Sequence, residues 1–202
     1  MKSIFNFLKK ILRNFFNDWI IPLIIAIIIV VPFRYFILEP YMVQGTSMVP
    51  NFHSYDYILV NKMKHWIGDY KRGDVVVLVP PSQISNSWKI YFPVIDPREK
   101  YIKRIVGLPG ETLKIQDQRL WVKKVGSNKF EKISEPYTNN FGRMSDMEIK
   151  LNNNQYFVLG DNRLVSADSR VFGPILKSEI LGEPILRIFP IDKFGLYPGE
   201  NY

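Results

Sequence analysis

Ser47 and Lys103 are the two residues whose types and settings could do covalent chemistry. Ser47 lies in Gly45-Thr46-Ser47-Met48-Val49-Pro50, after a short apolar run. A serine on a tight turn at a strand end can present both its hydroxyl and its backbone N–H to a substrate. The hydroxyl is a weak nucleophile until a base takes its proton. His53 lies in a polar turn with Ser54, Tyr55 and Asp56, and His65 lies beside Trp66. Neither has the separate, strand-borne setting of a triad base, so Ser-His-Asp is the lesser alternative. Lys103 lies in Tyr101-Ile102-Lys103-Arg104-Ile105-Val106-Gly107-Leu108-Pro109-Gly110-Glu111. On an extended strand Tyr101, Lys103 and Ile105 share one face. An amine between Tyr and Ile is partly desolvated, which favours its neutral, basic form. Moving a lysine from its ordinary range to near neutrality costs roughly 4–5 kcal/mol, which packing and hydrogen bonds elsewhere must offset.

Taken alone, a serine is ordinarily a turn hydroxyl, and a strand lysine ordinarily snorkels to solvent. A third segment shifts the balance. Gly160-Asp161-Asn162-Arg163-Leu164-Val165-Ser166-Ala167-Asp168-Ser169-Arg170 crowds amide, carboxylate, hydroxyl and guanidinium groups between apolar 156–159 and Val171-Phe172. A buried polar group left unpaired costs about 1–3 kcal/mol, so such density beside apolar flanks fits a buried network that supports a site.

The elements that must position these groups are short strands. Fourteen Pro, twelve Gly and many aromatic and β-branched residues argue against a helical bundle. Strand-like runs fall at 41–43, 57–61, 75–79, 101–106, 112–115, 120–123, 156–159 and 180–188, separated by Gly, Pro and Asn turns. The pattern predicts a mainly β fold, with an antiparallel, partly closed, barrel-like sheet spanning 39–202. Residues 81–99 and 124–154 read as insertions. The second joins the 112–123 hairpin in a small β subdomain over 111–154. Tyr91-Phe92-Pro93, in the first, reads either as a membrane-touching tip or as a loop packed on the sheet.

Ahead of this domain, residues 4–16 place Ile4, Phe5, Leu8, Ile11, Leu12, Phe15 and Phe16 at helical spacing, with Lys2, Lys9, Lys10 and Arg13 elsewhere. This predicts a basic amphipathic segment over 1–18 lying at a membrane interface. An apolar span over 19–38 follows, interrupted only by Arg34. About 20 residues cross a bilayer, so the span suffices if Arg34 snorkels to the far interface. No A-x-A-like site follows it, so it reads as a retained anchor rather than a cleaved leader. Four basic residues precede it and only Arg34 lies near its far end, which predicts a cytoplasmic N-terminus and an extracytoplasmic catalytic domain at the plasma membrane. The chain carries a net charge of +8 and no cysteine, and this charge suits an anionic membrane surface. The only basic cluster is the N-terminal one, so no nucleic-acid partner is expected. No His/Cys/carboxylate cluster has ligand spacing, so neither metal nor cofactor is expected.

In their order, the three polar segments resemble the type I signal peptidases, membrane-bound Ser/Lys endopeptidases. The resemblance covers nearly the whole chain and is nearest the Gram-positive branch. It implies cleavage of N-terminal signal peptides from secretory preproteins after A-x-A-like sites, with Ser47 as nucleophile and Lys103 as general base and later general acid. Ser166 matches the hydroxyl that orients the amine, and Asp168 and Arg170 match a structural ion pair that Arg104 is expected to join. Gly160 and Asn162 match a supporting loop, and 72–77 matches a groove-lining strand. Tyr41, Val43, Met48, Phe52, Ile58, Val77 and Ile102 match pocket walls, with about two of the seven expected to be plain core. Phe52 as a wall predicts a tight preference for Ala or Gly at the cleavage position. Gly45 departs from relatives that carry an oxyanion-binding Ser there, which leaves more of that task to the Ser47 N–H. Two other readings remain: a self-cleaving Ser/Lys protein of the SOS-repressor type, which would need a DNA-binding domain, and an anchored β-domain that binds exported chains without cutting them.

Overall fold

The structure is a computed structural model that describes residue 10 and residues 13–81, 98–138, 142 and 144–199. The amphipathic segment over 4–16 falls largely outside these residues, as does Tyr91-Phe92-Pro93. A π-helical turn at Phe16–Ile20 leads into α1 (Ile21–Phe36), an apolar helix with Pro near its first turn, Pro32 inside it and Arg34 in its last turn. The 22-residue stretch Arg13–Arg34, which runs through both, is the one span among the described residues long and apolar enough to cross a membrane, none of it buried against the protein. Its C-terminal end passes at once into β1 (Leu38–Met42), so the strand begins where the span was expected to end.

Eleven further strands follow: β2 (Tyr57–Asn61), β3 (Val75–Leu78), β4 (Tyr101–Gly107), β5 (Thr112–Gln116), β6 (Arg119–Lys123), β7 (Glu131–Lys132), β8 (Met147–Lys150), β9 (Gln155–Leu159), β10 (Ile175–Leu176), β11 (Ile180–Phe189) and β12 (Gly195–Leu196). Two short helices, α2 (Met63–Ile67) and α3 (Ser169–Phe172), sit in the connections. All pairings among the described residues are antiparallel. The main sheet is a curled half-barrel ordered β1-β2-β11-β3-β4-β9-β10, with β12 on β11. A second sheet, ordered β7-β6-β5-β8, forms from the insertion. The mainly β, partly closed fold agrees with the sequence pattern. The strands missed there, β7, β8, β10 and β12, are two to four residues long and too short to show a period.

Three apolar clusters follow from the alternation of side chains along strands. Val75 and Val77 of β3 face one cluster with Val43, Met48, Phe52, Ile58, Val60 and Ile102, beneath the turn that carries Ser47. Val76 and Leu78 face the opposite cluster with Tyr70, Ile105, Tyr156 and Val158. Val106, Leu113, Ile115, Leu120, Val122, Phe157 and Leu159 join the small sheet to the main one. A strand buried on both faces reads as the unbroken apolar run 75–79.

The curl depends on β11. Ile180–Gly182 pairs with β3, while the rest lies between β2 and β12, with register shifts after Ile180, Pro184 and Arg187. At the crossing, a Cβ on Gly182 would stand 2.2 Å from Asn61 O, so only glycine lets the strands meet. Gly182→Ala is therefore expected to destabilise the fold by about 1–3 kcal/mol, typical of overpacking. A lowered midpoint of denaturant unfolding with unchanged slope is the outcome that checks it.

Candidate active site

Ser47 is presented by the connection between β1 and β2. Its base is closed by backbone hydrogen bonds, Val43 N–H to Asp56 O and Tyr55 N–H to Val43 O. Gly45 turns the chain at φ +88°, a conformation side chains rarely adopt. Met48 and Phe52 then plug the core at 1% and 0% exposure, with Phe52 N–H bonded to Met48 O. Two inward plugs four residues apart leave the half-buried Ser47 on the outer side of the turn.

Lys103 comes from β4, opposite Val76 of β3. Its side chain is buried, and Nζ donates to Ser47 Oγ and to Ile102 O, both at 2.8 Å. The Tyr101 ring lies on the same face, its centroid 5.2 Å from Nζ. Burial pushes the Lys103 amine down from 10.5 to about 8, while the charges of Asp168 and Asp161 pull it back up. The desolvation read from the flanking Tyr and Ile is thus the dominant influence.

Behind the pair lies a network that the segment 160–170 supplies. Asn162 N–H donates to Ser47 O at 2.9 Å, and Asn162 Nδ2 to Thr46 O at 3.3 Å. Asp168 caps α3, and its carboxylate accepts from Gly160 N–H at 3.0 Å and from Arg170 Nε and Nη2 at 2.8 Å each. Gly160 is where the loop meets the turn that carries Ser47: a Cβ there would stand 2.6 Å from Ser47 O and 2.2 Å from Ser166 Oγ.

Three expectations need correction. Arg104 does not join the Asp168–Arg170 pair. It leaves the opposite face of β4 from Lys103 and binds Asp161 in a fork, Nε to Oδ1 at 2.8 Å and Nη2 to Oδ2 at 2.7 Å, both side chains fully buried. Ser166, matched to the amine-orienting hydroxyl, keeps a buried Oγ without a hydrogen-bond partner among the described residues, and the described bonds of Lys103 Nζ go to Ser47 and Ile102. Of the seven matched pocket walls, Met48 and Phe52 are the two that are plain core, which removes Phe52 as the wall behind the expected preference for Ala or Gly. Phe52 is sealed under the turn, with Gly199 against its ring edge and the Arg187 guanidinium 5.1 Å from its centroid. An alanine at Phe52 would leave a cavity under the turn rather than a wider pocket.

The groove itself has a volume of about 670 Å³ and opens over Ser47 and Lys103. Tyr41, Val43, Ile58, Val77 and Ile102 line it, together with Gly45 and with Val165 and Ala167, which sequence reasoning did not single out. No Cβ-distance contact lies within 4 Å of Gly45, so the space beside the turn is open. β1 is the edge strand of the main sheet, so its outer side offers backbone groups to an extended chain. Other residues missed are Asp161 as the partner of Arg104, Asn51, whose Nδ2 donates to Asp161 Oδ2 at 2.7 Å, and Thr138, whose Oγ1 donates to Asp161 O at 2.6 Å. Asp161 stood inside the polar segment and so carried a signal; Asn51 and Thr138 carried none.

A serine hydroxyl lies against a buried amine of lowered basicity on the wall of a groove beside a sheet edge, where the amine can take the hydroxyl's proton. Comparison with known proteins gives the family. Residues 16–189 match the family described as signal peptidase, peptidase S26, and the chain belongs to that family of enzymes. It is 34% identical to signal peptidase I T of Bacillus subtilis (strain 168) over 190 residues, covering 89% of each chain. It is 35% identical to signal peptidase I P of Bacillus subtilis subsp. natto over 181 residues, covering 87% of this chain and 90% of that one. Among solved structures, a signal peptidase I from Enterococcus faecalis V583 is 25% identical, with a TM-score of 0.43 over 58% of this chain and 97% of that one.

Proposed function

We propose that the protein is a membrane-anchored signal peptidase that uses Ser47 as nucleophile and Lys103 as general base. The observation that carries this reading is the 2.8 Å contact between Lys103 Nζ and Ser47 Oγ at the groove wall. With the amine neutral, the hydrogen of that contact belongs to Ser47, and the nitrogen lone pair accepts it. Ser47 Oγ attacks the scissile carbonyl carbon as its proton passes to Lys103 Nζ. The resulting ammonium protonates the leaving amine as the C–N bond breaks and an acyl-serine forms. Water, deprotonated by the same amine, then releases the new carboxylate and restores Ser47. Oxyanion stabilisation falls to the Ser47 N–H, with the open space at Gly45 available to a further donor or to water.

An extended preprotein segment pairs with β1, and its side chains enter the pockets of Tyr41, Val43, Ile58, Val77 and Ile102, which suits small residues of the A-x-A kind. The 22-residue apolar helix is a retained anchor with the N-terminus cytoplasmic, and the domain after it works on the outer face of the plasma membrane. The anchor holds the site where the apolar part of the preprotein resides.

Incubation of the detergent-solubilised protein with a secretory preprotein tests this, alongside folded Ser47→Ala. Cleavage after an A-x-A site by the wild type alone supports the reading. Binding of the preprotein with no cleavage by either form would make the protein a binding module instead.

A further inference from the structure

We propose that Asn51 is a positioning residue of the Ser47/Lys103 pair, setting from behind the distance across which the proton moves; this inference rests on the function proposed above. The geometry is a closed circuit. Asn51 belongs to the same turn as Ser47, and its Nδ2 donates to Asp161 Oδ2 at 2.7 Å. The same carboxylate is forked by Arg104, which is the chain neighbour of Lys103, and Lys103 Nζ returns to Ser47 Oγ at 2.8 Å. The residue after Asp161 closes a second, shorter path, from Asn162 N–H to Ser47 O at 2.9 Å. The nucleophile turn and the base strand are thus fixed to one buried carboxylate.

Asn51 has its own supports. Nδ2 also donates to Tyr137 O at 2.8 Å, and Asn51 O accepts from Arg187 Nη2 at 2.5 Å. The Tyr137 ring lies 4.2 Å below the Arg104 guanidinium. Both donors of one amide are therefore used, each on a different element. Neither a shorter polar side chain nor a carboxylate can replace them: serine falls short, and aspartate would meet Asp161 with like charge.

The role does not reach substrate, because Asn51 is absent from the lining of the groove and its amide donors go to Asp161 and Tyr137. Loosening the circuit should therefore change the chemical step rather than binding. A displacement of about 1 Å between nucleophile and base costs on the order of 100-fold in rate. Asn51→Leu and the milder Asn51→Ser are expected to lower kcat about 10- to 100-fold with KM for the preprotein changed less than about twofold. Asp161→Asn weakens the same carboxylate, so Asn51→Ser combined with Asp161→Asn should fall little further than the worse single variant.

The measurement is single-turnover cleavage of a preprotein by the full-length protein in detergent, with rates referred to enzyme shown to be folded by near-ultraviolet circular dichroism. If Asn51→Leu fails that criterion, Asn51→Ser carries the test. An unchanged kcat per folded molecule would reduce Asn51 to a structural residue. A raised KM at constant kcat would place it in substrate binding, and strictly additive rate losses in the double variant would break the circuit; each of these overturns the proposal. Failure of the wild type to cleave would instead overturn the function on which it rests.

Discussion

Lys103→Met is expected to abolish cleavage and, at neutral pH, to make the protein more stable. The side chain is 3% exposed, and its pKa in the folded state is about 8 against the ordinary 10.5. Folding therefore costs about 3 kcal/mol at pH values below 8, where the amine is charged in both states and the folded one must bury that charge. Between pH 8 and 10.5 the folded state releases its proton while the unfolded state keeps it, so wild-type stability rises with pH. Above 10.5 the cost is gone. A methionine of similar length carries no such cost, so its advantage over wild type should be largest below pH 8 and fade towards pH 10.5. Loss of the bond to Ile102 O lowers the gain by about 1 kcal/mol.

Activity should run the other way. In the proposed mechanism the rate depends on the neutral amine, so kcat/KM of the wild type is expected to rise with pH through an apparent pKa near 8. Loss of the base should cost at least about 10²–10⁴-fold. Thermal denaturation of both forms between pH 6 and 10.5, beside a pH–rate profile, checks the two together. A profile rising only above pH 10 would contradict a lowered amine pKa, and a methionine variant less stable at pH 7 would contradict the cost of burying the charged amine.

Gly160→Ala should be nearly as damaging to activity through a different cause. The added methyl would stand 2.2 Å from Ser166 Oγ, 2.5 Å from Ser166 Cβ and 2.6 Å from Ser47 O. Two of these lie on the 160–170 loop and one on the nucleophile turn, so the methyl drives the two apart. Separation breaks Asn162 N–H to Ser47 O and shifts Ser47 relative to Lys103. A loss of about 100-fold or more in kcat is expected, with destabilisation of about 1–3 kcal/mol. Near-wild-type turnover by folded Gly160→Ala would mean that the turn tolerates movement, and that the Ser47–Lys103 distance is not set by this contact.

Much of the site was legible because its chemistry is local in type. Ser47 on a Gly-turned strand end, Lys103 between Tyr101 and Ile105, and the polar crowd of 160–170 each carry their signal within about ten residues. The strands long enough to show a period were legible for the same reason, as β3 was from 75–79. Partner choice was not. Asp161 and Asp168 stand in one segment with similar chemistry, and which of them meets Arg104 depends on which side of β4 each reaches. Met48 and Phe52 were named with the groove walls, and only the direction in which the turn faces makes them its plugs.

The sequence alone determined the strand-rich class of the fold and the apolar helix ahead of it, and it supplied the residues of the candidate site. These follow from residue type and short-range spacing, which act through neighbours along the chain. Only the tertiary structure decided the 2.8 Å approach of Lys103 to Ser47, the fork of Arg104 on Asp161 and the bend of β11 over Gly182. Each joins residues many positions apart. Such pairings are selected by burial of whole strand faces and by satisfaction of buried polar groups, which no local window of sequence contains.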